Sequence, residues 1–358
     1  MKKNKKICIV TRALINGGAE RVIAQLANYF VKNGIDCSVI TIDAAAVAYE
    51  LDTRIDVVAI GKKADNKVKD RFFRYAELRK KITHYKPDVV LSMPEDIGIY
   101  VILALIGSKI PVYVSERNNP WVMPDVKITR LLRSIAYPFA EGIIFQTDMA
   151  KSFFSKNIQK KGIVLSNPVD IARIPEPHKG KRQKVFVAVG RLERQKNFPM
   201  LIKAFSKFYQ KEKNFKLVIY GEGRERANLE ALIKEFGLDG VVLLPGRNKD
   251  VLNAINDASA FILSSDYEGM PNALIEAMCM GMPVISTDCP SGGPRELIEN
   301  QKNGILIPVG DEDALVNALY SIMDLTVAEK MSNNSSKLRH SLTSVKIFEN
   351  WEKYLFRE

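Results

Sequence analysis

Histidine is scarce in this chain of 358 residues, three in all, and His84, His178 and His340 stand apart from every loop singled out below. A histidine general base or a Ser-His-Asp triad is therefore not expected. The four cysteines, Cys8, Cys37, Cys279 and Cys289, show neither CxxC nor metal-ligand spacing. That excludes a disulfide scaffold and a zinc module and fits a reducing compartment. Long apolar runs are missing as well: the longest, 97–106, falls well short of the roughly 20 residues that cross a bilayer. The basic start, residues 1–6, leads into an apolar stretch too short for the core of an export signal, so a cytoplasmic location is expected.

What is present is a chain that folds. With 46% hydrophobic and 26% charged residues it is not disordered, and at roughly 150 residues per domain its length calls for two domains. The formal net charge of +12 is unevenly divided. Residues 1–166 hold 27 Lys and Arg against 16 Asp and Glu, and residues 167–358 hold 26 against 25. Much of the excess lies in 62–86, where Val68, Phe72, Tyr75 (or Phe73), Leu78 and Ile82 recur at three- and four-residue steps. The spacing predicts an amphipathic helix with one apolar and one cationic face. Such a helix is either a solvated surface element or a contact for anionic headgroups or a polyanionic ligand. Nucleic acid would want the same charge, but no helix-turn-helix, zinc-finger or RNP-like signature supplies base readout, so no nucleic-acid partner is expected.

Strand and helix patterns alternate along the whole chain. Strands are predicted at 7–11, 37–41, 57–60, 89–92, 112–115 and 142–146, then at 185–189, 217–220, 241–244, 260–263, 284–286 and 305–307. Alternation of this kind gives parallel, doubly wound sheets, and two Rossmann-like domains facing each other across a cleft are the economical α/β arrangement. The proline-rich stretch 166–178 is the expected joint. In such sheets ligands sit beyond the carboxyl ends of strands, so the loops after strands are where chemistry belongs.

Three of those loops carry suitable residues. Gly190-Arg191-Leu192-Glu193-Arg194-Gln195-Lys196-Asn197 follows a strand and opens a helix, so Arg191 and Lys196 can grip a diphosphate beside a helix terminus. The segment 264–278 contains Glu268 before a helix that Pro271 is suited to start, and Glu276 within it. Carboxylates accept from vicinal hydroxyls, which fits a sugar ring at Glu268 and a ribose at Glu276. Ser291-Gly292-Gly293 and the turn Asn16-Gly17-Gly18 offer glycines that let backbone approach a ligand. The only Asp-x-Asp, Asp311-Glu312-Asp313, precedes a helix and reads as a cap, so no metal site is expected.

Glu268 followed after seven residues by Glu276, with Gly190-Arg191 to Lys196-Asn197 upstream and Gly17-Gly18-Ala19-Glu20 near the start, resembles the retaining glycosyltransferases of family 4. The resemblance covers nearly the whole chain and implies the GT-B fold. The implied acceptor domain is 1–166 with a returning C-terminal helix, 341–358, and the implied nucleotide-sugar domain is 167–340. It places Arg191 and Lys196 on the donor pyrophosphate and Glu276 on the ribose. Glu268 and the Gly269-Met270-Pro271-Asn272 backbone go to the donor sugar, and Gly17, Gly18, Gly190 and Leu274 complete the donor contacts. Ser115-Glu116-Arg117-Asn118-Asn119-Pro120 is similar to a loop of members that extend lipid-linked oligosaccharides, including relatives of bacterial N-acetylgalactosamine transferases. This implies Glu116 at the reaction centre and Arg117 and Asn118 on the acceptor. Lys67, Lys69, Arg71 and Arg74 would meet its diphosphate, and Arg130 and Arg133 would join them at an anionic membrane surface.

The function so implied is metal-independent transfer, with retention, of N-acetylgalactosamine or another hexose from a UDP-sugar to a polyprenyl-diphosphate saccharide. It would take place on the inner face of the cytoplasmic membrane, without a cofactor, in assembly of bacterial surface glycans. GDP-mannose as donor and a non-catalytic polyanion-binding protein are the alternatives.

Overall fold

The computed structural model describes residues 5–15, 17–43, 46–341 and 344–357. The basic start 1–4, Asn16 of the expected turn, and 342, 343 and 358 of the expected C-terminal helix lie outside them.

Thirteen strands form two sheets among the described residues. The first contains β1 (Lys6–Thr11), β2 (Asp36–Thr41), β3 (Asp56–Ala59), β4 (Val89–Ser92), β5 (Val112–Ser115), β6 (Gly142–Phe145) and β7 (Gly162–Val164), in the order β3-β2-β1-β4-β5-β6-β7. The second contains β8 (Gln183–Val189), β9 (Lys216–Tyr220), β10 (Val242–Gly246), β11 (Ala258–Leu263), β12 (Val284–Thr287) and β13 (Ile305–Ile307), in the order β10-β9-β8-β11-β12-β13. Every pairing is parallel. Strands with helices on both faces need continuous apolar sequence, which is what Ile7-Cys8-Ile9-Val10 supplies in β1. The direction of winding reverses between β1 and β4 and between β8 and β11, and a crevice opens at the carboxyl ends at such points.

The chain divides into two compact units, Met1–Pro168 with Ser344–Glu358, and Val169–Thr343. Each has its own core. In the second, Phe186, Phe205, Phe208 and Phe215 pack together, with Phe186 stacked on Phe215 at 4.9 Å. The first is completed by the helix Ser344–Phe356. Its Trp351 is 0% exposed and donates from Nε1 to the Ser166 carbonyl at 3.3 Å. Lys5 pairs with Glu352 at 3.0 Å on the same helix.

The edge strand β7 was not expected; three partly exposed residues carry too short a pattern to announce it. The basic helix spans Lys67–Tyr85, with the Asn66 side chain accepting from the Val68 and Lys69 amides at 3.0 and 3.1 Å. Its predicted apolar face is covered only toward the C-terminal end. Leu78 and Ile82 are buried and Tyr75 stacks on Tyr100, whereas Val68 and Phe72 are 78% and 69% exposed. The helix Glu95–Leu105 supplies the cover, and Arg79 donates to its Ala104 carbonyl at 2.9 Å. No helix among the described residues is long and apolar enough to cross a membrane.

Trp351→Ala should cost about 3–5 kcal/mol in denaturant unfolding of the first unit. Circular dichroism checks this, and a loss below about 1 kcal/mol would show that the returning helix contributes little.

Candidate functional site

The loop after β8 is held by backbone contacts that only glycine allows. Gly190 donates its amide to the Tyr220 carbonyl at 3.0 Å, and Leu192 donates to Glu222 at 3.0 Å. A Cβ on Gly221, whose φ is +147°, would stand 1.8 Å from the Gly190 carbonyl oxygen, and one on Gly223 would stand 2.3 Å from that of Leu192. Neither glycine was singled out beforehand. The signal was Gly221-Glu222-Gly223 directly after a predicted strand.

The same loop is stitched to the one after β11. Asp266 donates its amide to the Gln195 carbonyl at 2.9 Å, and Ser264 donates its hydroxyl to the Lys196 carbonyl at 2.8 Å. Asn197, at φ +44°, accepts from the Met200 amide to cap the helix Phe198–Tyr209 and donates to Asp266 at 2.7 Å. At the centre, Lys196 Nζ is ion-paired with Glu268 Oε1. The same oxygen accepts from Ser265 at 2.7 Å, and Gln195 Nε2 donates to Oε2 at 3.4 Å. Glu268 is 8% exposed.

The loop after β12 closes this network. Ser291 donates its hydroxyl to the Glu268 carbonyl, and a Cβ on Gly293 would come within 1.8 Å of the Gly269 carbonyl oxygen. The nearby Cys289 thiol is pushed up to about 12 by burial and next by the charge of Glu268, so it is no nucleophile.

Lys196 and Glu268 are thus brought together, on adjoining loops of the second unit. Arg191 is exposed on the first of them and pairs with no carboxylate among the described residues. The helix bearing Glu276 runs Asn272–Cys279, with Pro271 in the capping position instead of the first turn, because its φ −78° and ψ 104° are extended. Four residue steps, about 6 Å, separate Asn272 from half-buried Glu276. Gly190, Gly269, Met270 and Leu274 belong to the same loops and helix, whereas Gly17 and Gly18 belong to the first unit. Asp311 caps the helix Glu312–Met323 by accepting from the Ala314 amide at 2.8 Å, and Glu312 and Asp313 pair with Lys207 at 2.9 and 2.8 Å. No cluster of three or more His, Cys, Asp or Glu suited to a metal ion occurs among the described residues.

In the first unit four of the expected site residues have partners within the fold. Glu116, expected at the reaction centre, is buried and pairs with Arg133 at 3.4 Å while accepting from the Tyr137 hydroxyl. Arg133, expected at a membrane surface, is 1% exposed and also donates to the Pro120 and Met123 carbonyls, both at 2.8 Å. Half-buried Arg130 donates to the Val122 and Pro124 carbonyls of the preceding loop at 2.8 and 2.6 Å. Arg74 is tied to Asp43, to the Ile42 carbonyl at 2.7 Å and to Asp70 at 3.6 Å. Lys67, Lys69 and Arg71 are exposed. The helix Lys127–Ala136 turns its apolar residues outward, leaving Ile128, Leu131, Leu132 and Ile135 exposed, with Trp121, Val122, Val126 and Phe139 beside them in sequence.

Glu116→Ala should therefore act on stability, costing about 3–5 kcal/mol by leaving Arg133 buried and unpaired. Chemical denaturation checks it: Glu116→Ala with Arg133→Leu should recover most of the loss, which a residue serving only catalysis would not do.

Residues 16–173 match the family model described as Glycosyltransferase Family 4, and residues 170–338 the one described as Glycosyl transferases group 1. Two relatives come from Campylobacter jejuni. The GalNAc-alpha-(1->4)-GalNAc-alpha-(1->3)-diNAcBac-PP-undecaprenol alpha-1,4-N-acetyl-D-galactosaminyltransferase is 29% identical, over 98% of each chain. The N-acetylgalactosamine-N,N'-diacetylbacillosaminyl-diphospho-undecaprenol 4-alpha-N-acetylgalactosaminyltransferase is 28% identical, over 98% of this chain and 99% of its own. Among solved structures, a variant of S. aureus TarM in complex with fondaparinux, alpha-GlcNAc-glycerol and UDP matches with a TM-score of 0.83 at 14% identity, over 98% of this chain and 99% of its own. Two Rossmann-like domains with these neighbours constitute the GT-B fold.

Proposed function

The chain belongs to the glycosyltransferases of family 4 and group 1, and from that premise we propose that it moves a sugar from a UDP-linked donor to a polyprenyl-diphosphate-linked saccharide, retaining the anomeric configuration and using no metal ion. The Lys196–Glu268 pair at the stitched carboxyl ends of β8 and β11 is the observation that carries the donor half. Lys196 has three donors and commits one to Glu268, so it can also serve a diphosphate, joined by exposed Arg191. Glu268 with the Gly269–Asn272 backbone then orients the sugar, and Glu276 receives the ribose.

N-acetylgalactosamine or another hexose on an undecaprenyl-type acceptor is supported by the names of the two Campylobacter relatives. UDP is supported by its presence in the TarM complex. In the proposed reaction the bond from the anomeric carbon to the diphosphate breaks as the acceptor oxygen bonds on the same face. The acceptor proton passes to the departing diphosphate oxygen. Such a route asks the protein for orientation and charge stabilisation, which Arg191 and Lys196 supply.

Assayed with a panel of nucleotide sugars and a polyprenyl-diphosphate saccharide, a UDP-N-acetylhexosamine or UDP-hexose should be the donor that stabilises the protein and is turned over. GDP-mannose as the sole donor would contradict that half. Arg191→Ala and Lys196→Ala should each lower turnover about 10²-fold or more with the fold intact, and an active double variant would end the mechanism. EDTA should leave turnover within a factor of ten; a larger loss restored by magnesium or manganese would refute metal independence.

The acceptor's location is the inner face of the bacterial cytoplasmic membrane, where surface polysaccharide is assembled. The outward apolar residues of Lys127–Ala136 and the exposed Lys67, Lys69 and Arg71 support a peripheral contact there. Replacing Leu131 and Ile135 by serine should weaken binding to anionic vesicles about tenfold or more even at high salt. Undiminished binding in co-sedimentation would show that this face does not enter the lipid.

A further inference from the structure

The strand β7 ends the first sheet, with β6 on one side and no strand on the other among the described residues. Ile143 donates its amide to the Lys161 carbonyl at 3.2 Å and Leu165 donates to the Phe145 carbonyl at 2.9 Å, so Lys161, Ile163 and Leu165 face β6. Successive strand residues turn their amides and carbonyls to opposite edges, which points those of Gly162 and Val164 away from β6. Ser166 continues the outward set, and its carbonyl accepts from Trp351 of the helix Ser344–Phe356. Tyr354 of the same helix donates its hydroxyl to the Lys161 carbonyl, and Arg357 pairs with Glu141, just ahead of β6. The helix therefore runs beside β7 in the opposite direction, and a groove of about 790 Å³ lies along them.

Two features describe its occupant. The first is the free backbone edge. Sheet edges left to solvent are commonly blunted by a charge, a proline or a bulge within the strand, but Gly162, Ile163 and Val164 supply none and keep a regular register with β6. Such an edge takes an extended chain by main-chain hydrogen bonds. The second is charge. Lys160, Lys161, Lys353 and Arg357 line the groove against one carboxylate, Glu141, which Arg357 already pairs. Lys161 gives its ammonium to the Pro138 and Ala140 carbonyls at 2.7 and 3.1 Å, whereas Lys160 and Lys353 are exposed. An acidic chain is drawn to this groove and a basic one repelled, and a second copy of this chain would bring like charge against like.

We propose that the groove between β7 and the returning helix takes an extended, acidic segment of a partner protein, which adds to β7 as a further strand and sets carboxylates against Lys160 and Lys353. All the lining residues belong to the first unit, and none takes part in the transfer chemistry proposed above.

The test is fluorescence anisotropy of the whole chain with a labelled peptide that alternates glutamate with valine. The peptide should bind. The same peptide methylated on every amide keeps its charge but loses its main-chain donors, and should bind about tenfold or more weakly. Lys160→Glu combined with Lys353→Glu should also weaken the acidic peptide about tenfold or more, and should favour a peptide that alternates lysine with valine. Val164→Pro removes an outward donor while leaving the bonds to β6, and should weaken binding as well; if circular dichroism shows that this variant does not fold, the charge-reversed protein decides. No binding of the acidic peptide up to about 1 mM overturns the proposal. So does equal binding of the methylated peptide, which would be adherence to charge alone, or binding unchanged by the two charge reversals. A peptide-free dimer in sedimentation that the charge reversals or Val164→Pro dissolve would assign the edge to a second copy, and would equally refute the proposal.

Discussion

One ion pair, Lys196 with Glu268, gathers the second unit's chemistry in one place. It closes a network of backbone contacts between the loops after β8 and β11, and Ser291 extends that network to the loop after β12. Gly221, Gly223 and Gly293 permit the close approach, each at a point where a Cβ would meet a carbonyl oxygen. A cation placed by such scaffolding loses little freedom when it meets a ligand, and preorganised charge is worth more than the same charge on a mobile loop. Glu268 also keeps the ammonium from standing as an uncompensated charge in a largely buried setting.

The first unit spends its cations differently. Arg133, Arg130 and Arg74 satisfy carbonyls and carboxylates of the fold, and the exposed faces nearby carry apolar side chains among their cations. A lipid-facing surface of that kind would gain more from apolar insertion than from charge, with Lys67, Lys69 and Arg71 left to add attraction that falls with salt. Glu116, directly after β5, pairs with Arg133 and accepts from the Tyr137 hydroxyl.

Much of this was legible before any coordinates, and the limits have physical reasons. Strands buried on both faces write themselves as apolar runs, so β1, β4, β5 and β13 stand where their sequences put them, whereas the short, half-exposed β7 left no such mark. Arg191, Lys196 and Glu268 stood out because each follows a strand end and precedes a helix start, and Glu276 because it sits in the helix that follows. The partners of charged residues were not. Arg74 and Asp43 lie 31 residues apart, and Arg133 and Glu116 lie 17 apart, and only the fold decides that these cations turn inward. Glu95, Arg117, Gln146 and Asn167, which hydrogen-bond to one another, come from four strand ends, a juxtaposition that no local pattern encodes.

The central claim is that the network around Lys196 and Glu268 is built to receive a nucleoside diphosphate. A crystal structure of the chain soaked with UDP tests it most directly. The account predicts diphosphate oxygens within hydrogen-bond distance of both Arg191 and Lys196, and the ribose hydroxyls at Glu276. UDP bound away from these three side chains, with Lys196 still engaged only by Glu268, would contradict it.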